Sequence, residues 1–324
     1  MTTKERVLAL LEQHRGQRLS GAEIAKALSV SRNAVWKAVN ALRAEGCQIQ
    51  AVTNGGYCLC ADDDTLTAQS IAALLPAEFA EYAARITVYP ELDSTNRTAK
   101  ELALAGAAHG TVVIAQTQTG GRGRYTRSFF SPPGGLYMSV VLLPERLHFS
   151  QLTAVTAFAA NAVSDAVFAV TGRMPGIKWV NDLMLDGRKI CGILTEAVTD
   201  LESGTPGWIV LGIGVNVQTK PAEFPAELRG IAGSLCPDGD APGARSRLAA
   251  EILKRLLTAP PQEAEIFRTY RSRLTVLGRQ VTVIQGDNTF SAAAEDLDDA
   301  GHLLVRTADG TLHTLCSGEI RILP

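Results

Sequence analysis

Apolar positions near the start of the chain recur at three- and four-residue spacing, the period of a helix with one buried face. Val7, Leu8, Leu10 and Leu11 form the stripe of a first helix. Ser20 and Glu23 have the spacing of a capping box, in which the hydroxyl satisfies a backbone N–H and the carboxylate reaches back to the cap. The box opens a second helix carrying Ile24, Ala25 and Leu28. Ser31 caps a third, running to about Glu45, with Ala34, Val35, Val39 and Leu42 inward, Trp36 read as core, and Gly46 at its left-handed stop. The period then shortens: Ile49 to Val52 and Tyr57 to Leu59 read as two strands around Thr53-Asn54-Gly55-Gly56, a hairpin signal.

Asp62-Asp63-Asp64 reads as a solvated linker, and Thr67 as the cap of a small helix to about Leu75. Strands are then expected at 86–89, 111–115, 136–143, 192–197 and 208–215, and helices at 96–105 and 152–170. Asp186-Gly187 marks a hairpin turn. Residues 244–272 are helical again, broken at Pro260-Pro261. From Gln280 onward short strands alternate with turns at Gly286-Asp287, Ala300-Gly301 and Asp309-Gly310, the pattern of a small β-barrel.

Composition narrows the function classes. The 324 residues carry 31 Lys plus Arg against 33 Asp plus Glu, a net charge of −2. A protein that coats nucleic acid through uniform basic charge is excluded. Apolar residues make up 46% and charged residues 20%, so disorder over most of the chain is not expected. No run of about eighteen apolar residues predicts a membrane span, and the N-terminus does not read as a signal peptide. The six cysteines (47, 58, 60, 191, 236, 316) form neither a zinc pattern nor a disulfide framework, which points to a reduced, cytoplasmic protein.

Local chemistry departs from this neutral average. Two helices joined by a tight turn and followed by a hairpin fit a winged helix-turn-helix, with the third helix reading the major groove. Ser31 and the helix N-terminus suit a phosphate; Arg32, Asn33, Lys37 and Asn40 suit base edges and backbone. Residues 1–65 hold eight Lys plus Arg and seven Asp plus Glu, a net of only +1. One copy neutralises few phosphates, so DNA binding calls for a dimer on a two-fold site. A three-helix interaction module that binds no DNA is the competing reading.

The sharpest feature is Gln118-Thr119-Gly120-Gly121-Arg122-Gly123-Arg124-Tyr125-Thr126-Arg127. Between Gln116 and Phe130 stand three arginines and no acid. Glycines let the backbone approach an anion and arginines add charge-assisted hydrogen bonds, so the loop suits a polyphosphate. It is neither a Walker loop nor a dinucleotide fingerprint. Asp93-Ser94-Thr95-Asn96 opens a helix with more polar residues than capping needs. Lys178, between Ile177 and Trp179, is expected to be partly desolvated and to gain from an anion. Gly212 and Gly214 sit in one strand, which permits close approach by a ligand or another backbone.

Together these residues resemble the biotin–protein ligases, in the bifunctional form that also represses the biotin operon. Ser94-Thr95-Asn96, Gln118 with Gly121-Arg122-Gly123-Arg124, Lys178-Trp179-Val180-Asn181-Asp182, Lys189-Ile190-Cys191-Gly192-Ile193-Leu194-Thr195-Glu196, Gly212-Ile213-Gly214-Val215-Asn216-Val217 and Ser317-Gly318-Glu319-Ile320-Arg321 stand in that family's order over nearly the whole chain. The resemblance implies an α+β multidomain fold: a winged helix-turn-helix at 1–65, a class II synthetase-like mixed α/β ligase domain at 66–275, and an SH3-like β-barrel at 276–324. It implies activation of biotin as biotinyl-5′-AMP, with ATP and Mg²⁺ as substrate complex and no permanent cofactor. Transfer to a lysine of the biotin carboxyl carrier protein of acetyl-CoA carboxylase comes next, and a homodimer binds operator DNA. It maps Ser94, Thr95, Asn96, Gln118, Arg122, Gly123, Arg124 and Lys178 to biotin, and Arg122, Arg124, Arg127, Phe129, Asn181, Gly192 and Asn216 to ATP and the adenylate. Lys178, Arg122 and Arg124 take the catalytic role, and Asp182 helps to place Mg²⁺.

The chain departs from the family at Tyr125-Thr126-Arg127, where Arg-Gly-Arg is usual, at Phe129 for Trp, and at Val180 for Pro. Thr126 is expected to stiffen the loop, and Phe129 to stack on adenine over a smaller area. A lipoate-type ligase, and a ligase whose helix-turn-helix no longer represses, are the alternative readings.

Overall fold

Capping and apolar spacing place the first helices where the sequence puts them. In a computed structural model the chain is described from residue 2 to 322, except residues 45, 53–54, 61–63, 126, 200–205, 240, 242 and 287. The expected helix end at Glu45, the turn residues Thr53 and Asn54, the acidic Asp62 and Asp63, the loop residue Thr126 and the turn residue Asp287 therefore lie outside the described residues. Helices α1 (Thr3–Gln13), α2 (Gly21–Leu28) and α3 (Arg32–Ala44) precede a hairpin of β1 (Ile49–Val52) and β2 (Gly56–Leu59). The Ser20–Glu23 box is formed, with Ser20 N donating to the Glu23 carboxylate at 2.7 Å and Glu23 N to Ser20 Oγ at 3.1 Å. Ser31 Oγ accepts from Ala34 N at 3.1 Å. Val7, Leu8, Leu11, Ile24, Val35, Val39, Leu42, Ile49 and Leu59 close one core. Trp36 is not part of it: it points outward and is 54% exposed. The residue lies one position off the inward stripe of Val35, Ala38, Val39 and Leu42, so helical phase overrides its apolar character.

Two contacts fix the linker and the start of the next unit. Arg245 pairs with Asp64, and Ser70 Oγ lies 2.8 Å from Ser246 Oγ. Thr67 caps α4 (Ala68–Ala72), shorter than expected, and the short α5 (Ala80–Ala83) lies beyond it.

A seven-stranded sheet comes next. Its strands are β3 (Ile86–Leu92), β4 (Thr111–Gln118), β5 (Leu136–Leu142), β6 (Gly176–Lys178), β7 (Asp182–Leu185), β8 (Arg188–Thr199) and β9 (Pro206–Val215), in spatial order β3-β4-β5-β9-β8-β7-β6. Only β3 and β4 run parallel; the other neighbours are antiparallel. The helix α6 (Thr95–Leu104) connects β3 to β4, the short α7 (Pro144–Leu147) comes after β5, and α8 (Leu152–Thr171) precedes β6.

Strand pleat divides the side chains between two faces. Val112, Ile114, Met138, Val140, Leu211, Ile213 and Ile193 join α8 in the main core. Val113, Val141 and Val210 meet Ala99 and Ala103 of α6 on the other face. Two further helices, α9 (Ala244–Leu257) and α10 (Glu263–Ser272), cover α8. By length and apolarity α8 matches a membrane-crossing helix, yet twelve of its residues are buried between the sheet and these helices.

The last five strands, β10 (Gln280–Gln285), β11 (Asn288–Leu297), β12 (Leu303–Arg306), β13 (Leu312–Leu315) and β14 (Glu319–Ile322), form an antiparallel sheet in the order β13-β12-β11-β10-β14. The chain meanders through four strands and returns to pair its fifth with its first, the connectivity of an SH3-like barrel. This unit docks on the larger sheet through Trp179, whose indole donates to Gly301 O at 3.2 Å.

Candidate active site

The α6 face of the large sheet supplies the floor of a cleft. The register puts one residue from each strand but β3 in a row: Ala115 opposite Tyr137, Tyr137 opposite Gly214, Gly214 opposite Gly192, Gly192 opposite Asp182, and Asp182 opposite Lys178. The next row reads Val113, Ser139, Gly212 and Leu194. Valines fill this face under α6; beyond them glycine, serine and charge replace the apolar side chains. A sheet that loses its side chains at three positions leaves space above it, and that space is the cleft.

The space has two tenants of its own. A β-carbon at Gly212 would stand 2.0 Å from Asn96 Oδ1, and one at Gly214 would stand 2.7 Å from Phe129 Cε1. Close approach by other side chains is therefore the reason for both glycines.

A hydrogen-bond network fixes the polar end. Thr95 donates to Gln118 Oε1 through its backbone N–H at 2.8 Å and its hydroxyl at 3.1 Å. Gln118 Nε2 donates to Ser131 Oγ at 2.9 Å. Ser139 Oγ lies 2.8 Å from Thr95 Oγ1 and 2.6 Å from Asn96 Oδ1, and Asn96 Nδ2 donates to Glu196 Oε2 at 2.8 Å. Lys100 pairs with Glu196 in turn. Ser94 makes no side-chain cap at the start of α6, and Ser94, Thr95 and Asn96 all line the cleft. Each amide end is oriented by a neighbour, so Asn96 and Gln118 hold fixed polar positions at this end of the cleft.

The glycine–arginine segment forms a small hairpin over this floor. Phe129 N donates to Gly121 O at 2.9 Å and Gly123 N to Arg127 O at 2.7 Å. Gly121 allows it: a β-carbon there would lie 2.4 Å from Phe129 O. Tyr125 at the tip has φ +53° and stacks beneath Arg124, whose guanidinium carbon is 5.0 Å from the ring centre. Arg127 pairs with Glu319 on β14, and Gly318, Glu319 and Ile320 close the cleft from the C-terminal side. Burial alone would raise the Glu319 carboxyl, but hydrogen bonds and charge from Arg127 and Arg321 hold it below the usual carboxylate range.

Lys178 ends β6 half-buried in the same cleft. Burial pulls its pKa below the ordinary lysine value; Asp182 and Glu319 oppose the shift, and Lys189 and Arg127 add to it. A second lysine, Lys189, stands 2.6 Å from Asp182 Oδ1 and 5.9 Å from the centre of the Phe129 ring. The cleft encloses about 960 Å³ including its open mouth, and Ser94, Thr95, Asn96, Gln118, Arg122, Gly123, Arg124, Arg127, Phe129, Lys178, Asn181, Asp182 and Gly192 all line it. The peptide between Trp179 and Val180 is cis.

Two expected residues stand differently. Asn216 is outside the cleft lining; it is buried, and its amide donates to Gly233 O at 3.0 Å, tying the end of β9 to the loop around Gly233. Asp182 is engaged by Lys189, and among the described residues no group of three or more His, Cys, Asp or Glu is placed to hold a metal ion. Lys189 lines the cleft, and Ser139 and Glu196 hold Thr95 and Asn96 in place, although the sequence reading gives none of the three a site role. Their partners are 43, 100 and 7 residues away, so only the sheet register brings them in. Ser31, just before α3, and Arg32, Asn33 and Lys37 on it are exposed, and Asn40 is half-buried.

Comparison with known proteins matches this architecture part by part. Residues 88–216 match the biotin/lipoate A/B protein ligase family, residues 3–58 an HTH domain, and residues 276–322 the biotin protein ligase C-terminal domain. The bifunctional ligase/repressor BirA of Bacillus subtilis is 33% identical over 99% of this chain and 99% of its own. That of Escherichia coli is 30% identical over 99% of this chain and 97% of its own. The biotin protein ligase from Aquifex aeolicus in complex with biotin and ATP superposes with a TM-score of 0.63 at 27% identity, over 74% of this chain and 98% of that one. With a helix-turn-helix, a mixed-sheet ligase fold and a C-terminal β unit in one chain, and relatives matched end to end, the protein belongs to the bifunctional biotin ligase/repressor family.

Proposed function

We propose that the cleft activates biotin with ATP and transfers it to a lysine of a biotin carboxyl carrier protein, that of acetyl-CoA carboxylase. A carboxylate oxygen of biotin attacks the α-phosphorus, the bond to the bridging oxygen breaks, and pyrophosphate leaves. The deprotonated acceptor amine then attacks the mixed anhydride, forming the amide and releasing AMP. No protein nucleophile is required, so positioning and electrostatics carry the rate.

Ser94, Thr95, Asn96 and Gln118 hold the ureido ring of biotin. Arg122, Gly123, Arg124 and Lys178 surround its carboxylate and the α-phosphate, where Lys178, Arg122 and Arg124 offset charge building on the five-coordinate phosphorus. Arg127, Phe129, Asn181 and Gly192 face the nucleotide, and Asn216 acts through the backbone it anchors. Magnesium enters with ATP as part of the substrate, and Asp182 meets it when Lys189 gives way.

The division 1–65, 66–275 and 276–324 assigns DNA reading, ligation and closure of the cleft to separate units, within the reducing cytoplasm. Two copies bind operator DNA as a homodimer, since one module carries a net of only +1.

The observation that carries the reading is the row Gly214-Gly192-Asp182-Lys178 beneath a loop with three arginines: an open, cationic shelf beside a fixed polar pocket. Incubation with biotin, MgATP and a carboxyl carrier domain is expected to add one biotin to the carrier by intact mass. A carrier of unchanged mass overturns the reading.

A further inference from the structure

The three tryptophans have unlike surroundings. Trp179 is 3% exposed and hydrogen-bonded to Gly301 O, and Trp208 packs against the cluster under α6. Trp36 is 54% exposed and, among the described residues, takes part in no ring pair and no cation–π contact. An indole is the largest apolar surface a side chain can offer, and tryptophan is enriched where a partner covers it.

Its neighbours identify that partner. In a helix, residues three and four apart share a face. Trp36 therefore stands with Arg32, Asn33 and Asn40, beside Lys37, and Arg43 continues the stripe two turns on. The helix carries three cations and no acid from Arg32 to Ala44. Its opposite face, Val35, Ala38, Val39 and Leu42, is committed to the core, so the stripe has a fixed aspect. A surface that combines an apolar plate, hydrogen-bonding amides and cations without anions complements a polyanion that displays both polar edges and methyl groups. The major groove of DNA does so: phosphates line it, base edges present donors and acceptors, and thymine adds a 5-methyl group. Trp36 lies one turn into the helix, at the depth where recognition helices reach bases.

We propose that Trp36 is a sequence-reading residue, whose indole packs against a thymine methyl next to the base pairs met by Arg32 and Asn33. The proposal rests on the reading of the N-terminal module as DNA-binding and adds to it a base preference and the side chain that imposes it.

The test begins with duplexes enriched from a random pool by the full-length wild-type protein with biotin and ATP. Each thymine of the enriched half-site is then replaced by deoxyuridine, which removes only the methyl group. Wild type is expected to lose affinity by at least about threefold at one position in each half-site. Trp36→Ala should bind the enriched duplex about tenfold or more weakly and show no methyl dependence, while Trp36→Phe keeps part of both. Carrier biotinylation by Trp36→Ala should equal wild type, which shows that the ligase unit is folded, and an unchanged helical circular-dichroism signal shows the same of the N-terminal module. A Trp36→Ala protein that keeps the wild-type methyl dependence, whatever its affinity, overturns the proposal, as does wild-type binding indifferent to every methyl. Failure of wild type to enrich any duplex removes the DNA reading together with the proposal. Unchanged DNA binding with loss of self-association in Trp36→Ala would overturn it too and assign the indole to a protein contact instead.

Discussion

The Phe129 ring fills the space above Gly214, so that a β-carbon at 214 would stand 2.7 Å from Cε1 and 2.9 Å from Cζ. The ring is braced from behind by Tyr137, with centroids 6.3 Å apart at 71°. Gly214→Ala must therefore displace Phe129 or the strand. Overpacking of this kind destabilises by about 1–3 kcal/mol. The expected result is a lowered denaturation midpoint and a raised KM for ATP in biotin-dependent pyrophosphate exchange. Adding Phe129→Ala should restore part of the stability, because the two positions share one space. Strict additivity of the two changes in chemical denaturation would show that the contact is not the cause.

Lys178 faces the cleft from the strand opposite Asp182, in the row that leads to Gly192 and Gly214. Lys178→Ala is expected to slow adenylation at least about tenfold, on the order of 1.4 kcal/mol of barrier. Pyrophosphate exchange reads this step without the acceptor. Wild-type exchange in the variant would remove Lys178 from the reaction.

The same lysine gives a pH signature in stability. Burial lowers its folded pKa below the unfolded value. The penalty on the buried ammonium is present in full below the folded pKa. Between the two values the unfolded chain holds a proton that the folded site has released, so stability rises with pH through that window. Lys178→Met lacks this proton, so the difference in unfolding free energy between wild type and variant should change with pH only there. A difference that stays flat from neutral pH through the ordinary lysine range would contradict the assigned burial.

Arg124 rests on the Tyr125 ring at the tip of the loop, and its neighbour Arg127 is held by Glu319. The loop thus has one end tethered to the C-terminal unit and one cation at its tip facing the cleft. Arg124→Gly removes a charge-assisted contact to the adenylate. Release of biotinyl-5′-AMP is expected to quicken about tenfold or more, read by rapid dilution of the preformed complex. An unchanged off-rate would mean that the loop does not retain the intermediate.

Much of this site is legible in the sequence, and the remainder escapes for physical reasons. Local signals work because local energetics set them: the Ser20–Glu23 box and the Ser31 cap stand where expected. Strand ends are less visible: β8 runs unbroken from Arg188 to Thr199, where the pattern gives a hairpin arm at Lys189–Ile190 and a separate strand at 192–197. The loop and Lys178 announce themselves by composition. Ser139 does not, for a lone serine in an apolar strand carries no local mark; its role comes from Asn96 and Thr95 across the sheet. Asn216 stands at the border of the site, where its amide binds Gly233 O, a contact that local sequence does not reveal. Trp36 misleads in the opposite way: its apolar character suggests core, and the helical phase places it in water.

DNA binding should depend on the ligase reaction. The N-terminal module carries a net of +1, and a single copy releases few counterions on binding. The glycine–arginine loop is cationic, so an anionic adenylate is expected to order it, and the ordered loop is expected to complete a surface for a second copy. Two modules on one two-fold site double the phosphate contacts and square the dependence on protein concentration, which couples the two sites thermodynamically. In a gel-shift titration, full-length protein with biotin and ATP should bind an inverted-repeat duplex at least about tenfold more tightly than protein alone. Sedimentation in the same buffers should show the dimer only with both substrates. Arg124→Gly should weaken this ligand dependence without changing the wing or α3. Retardation that is equal with and without biotin and ATP would rule out the coupling and leave the module a constitutive binder.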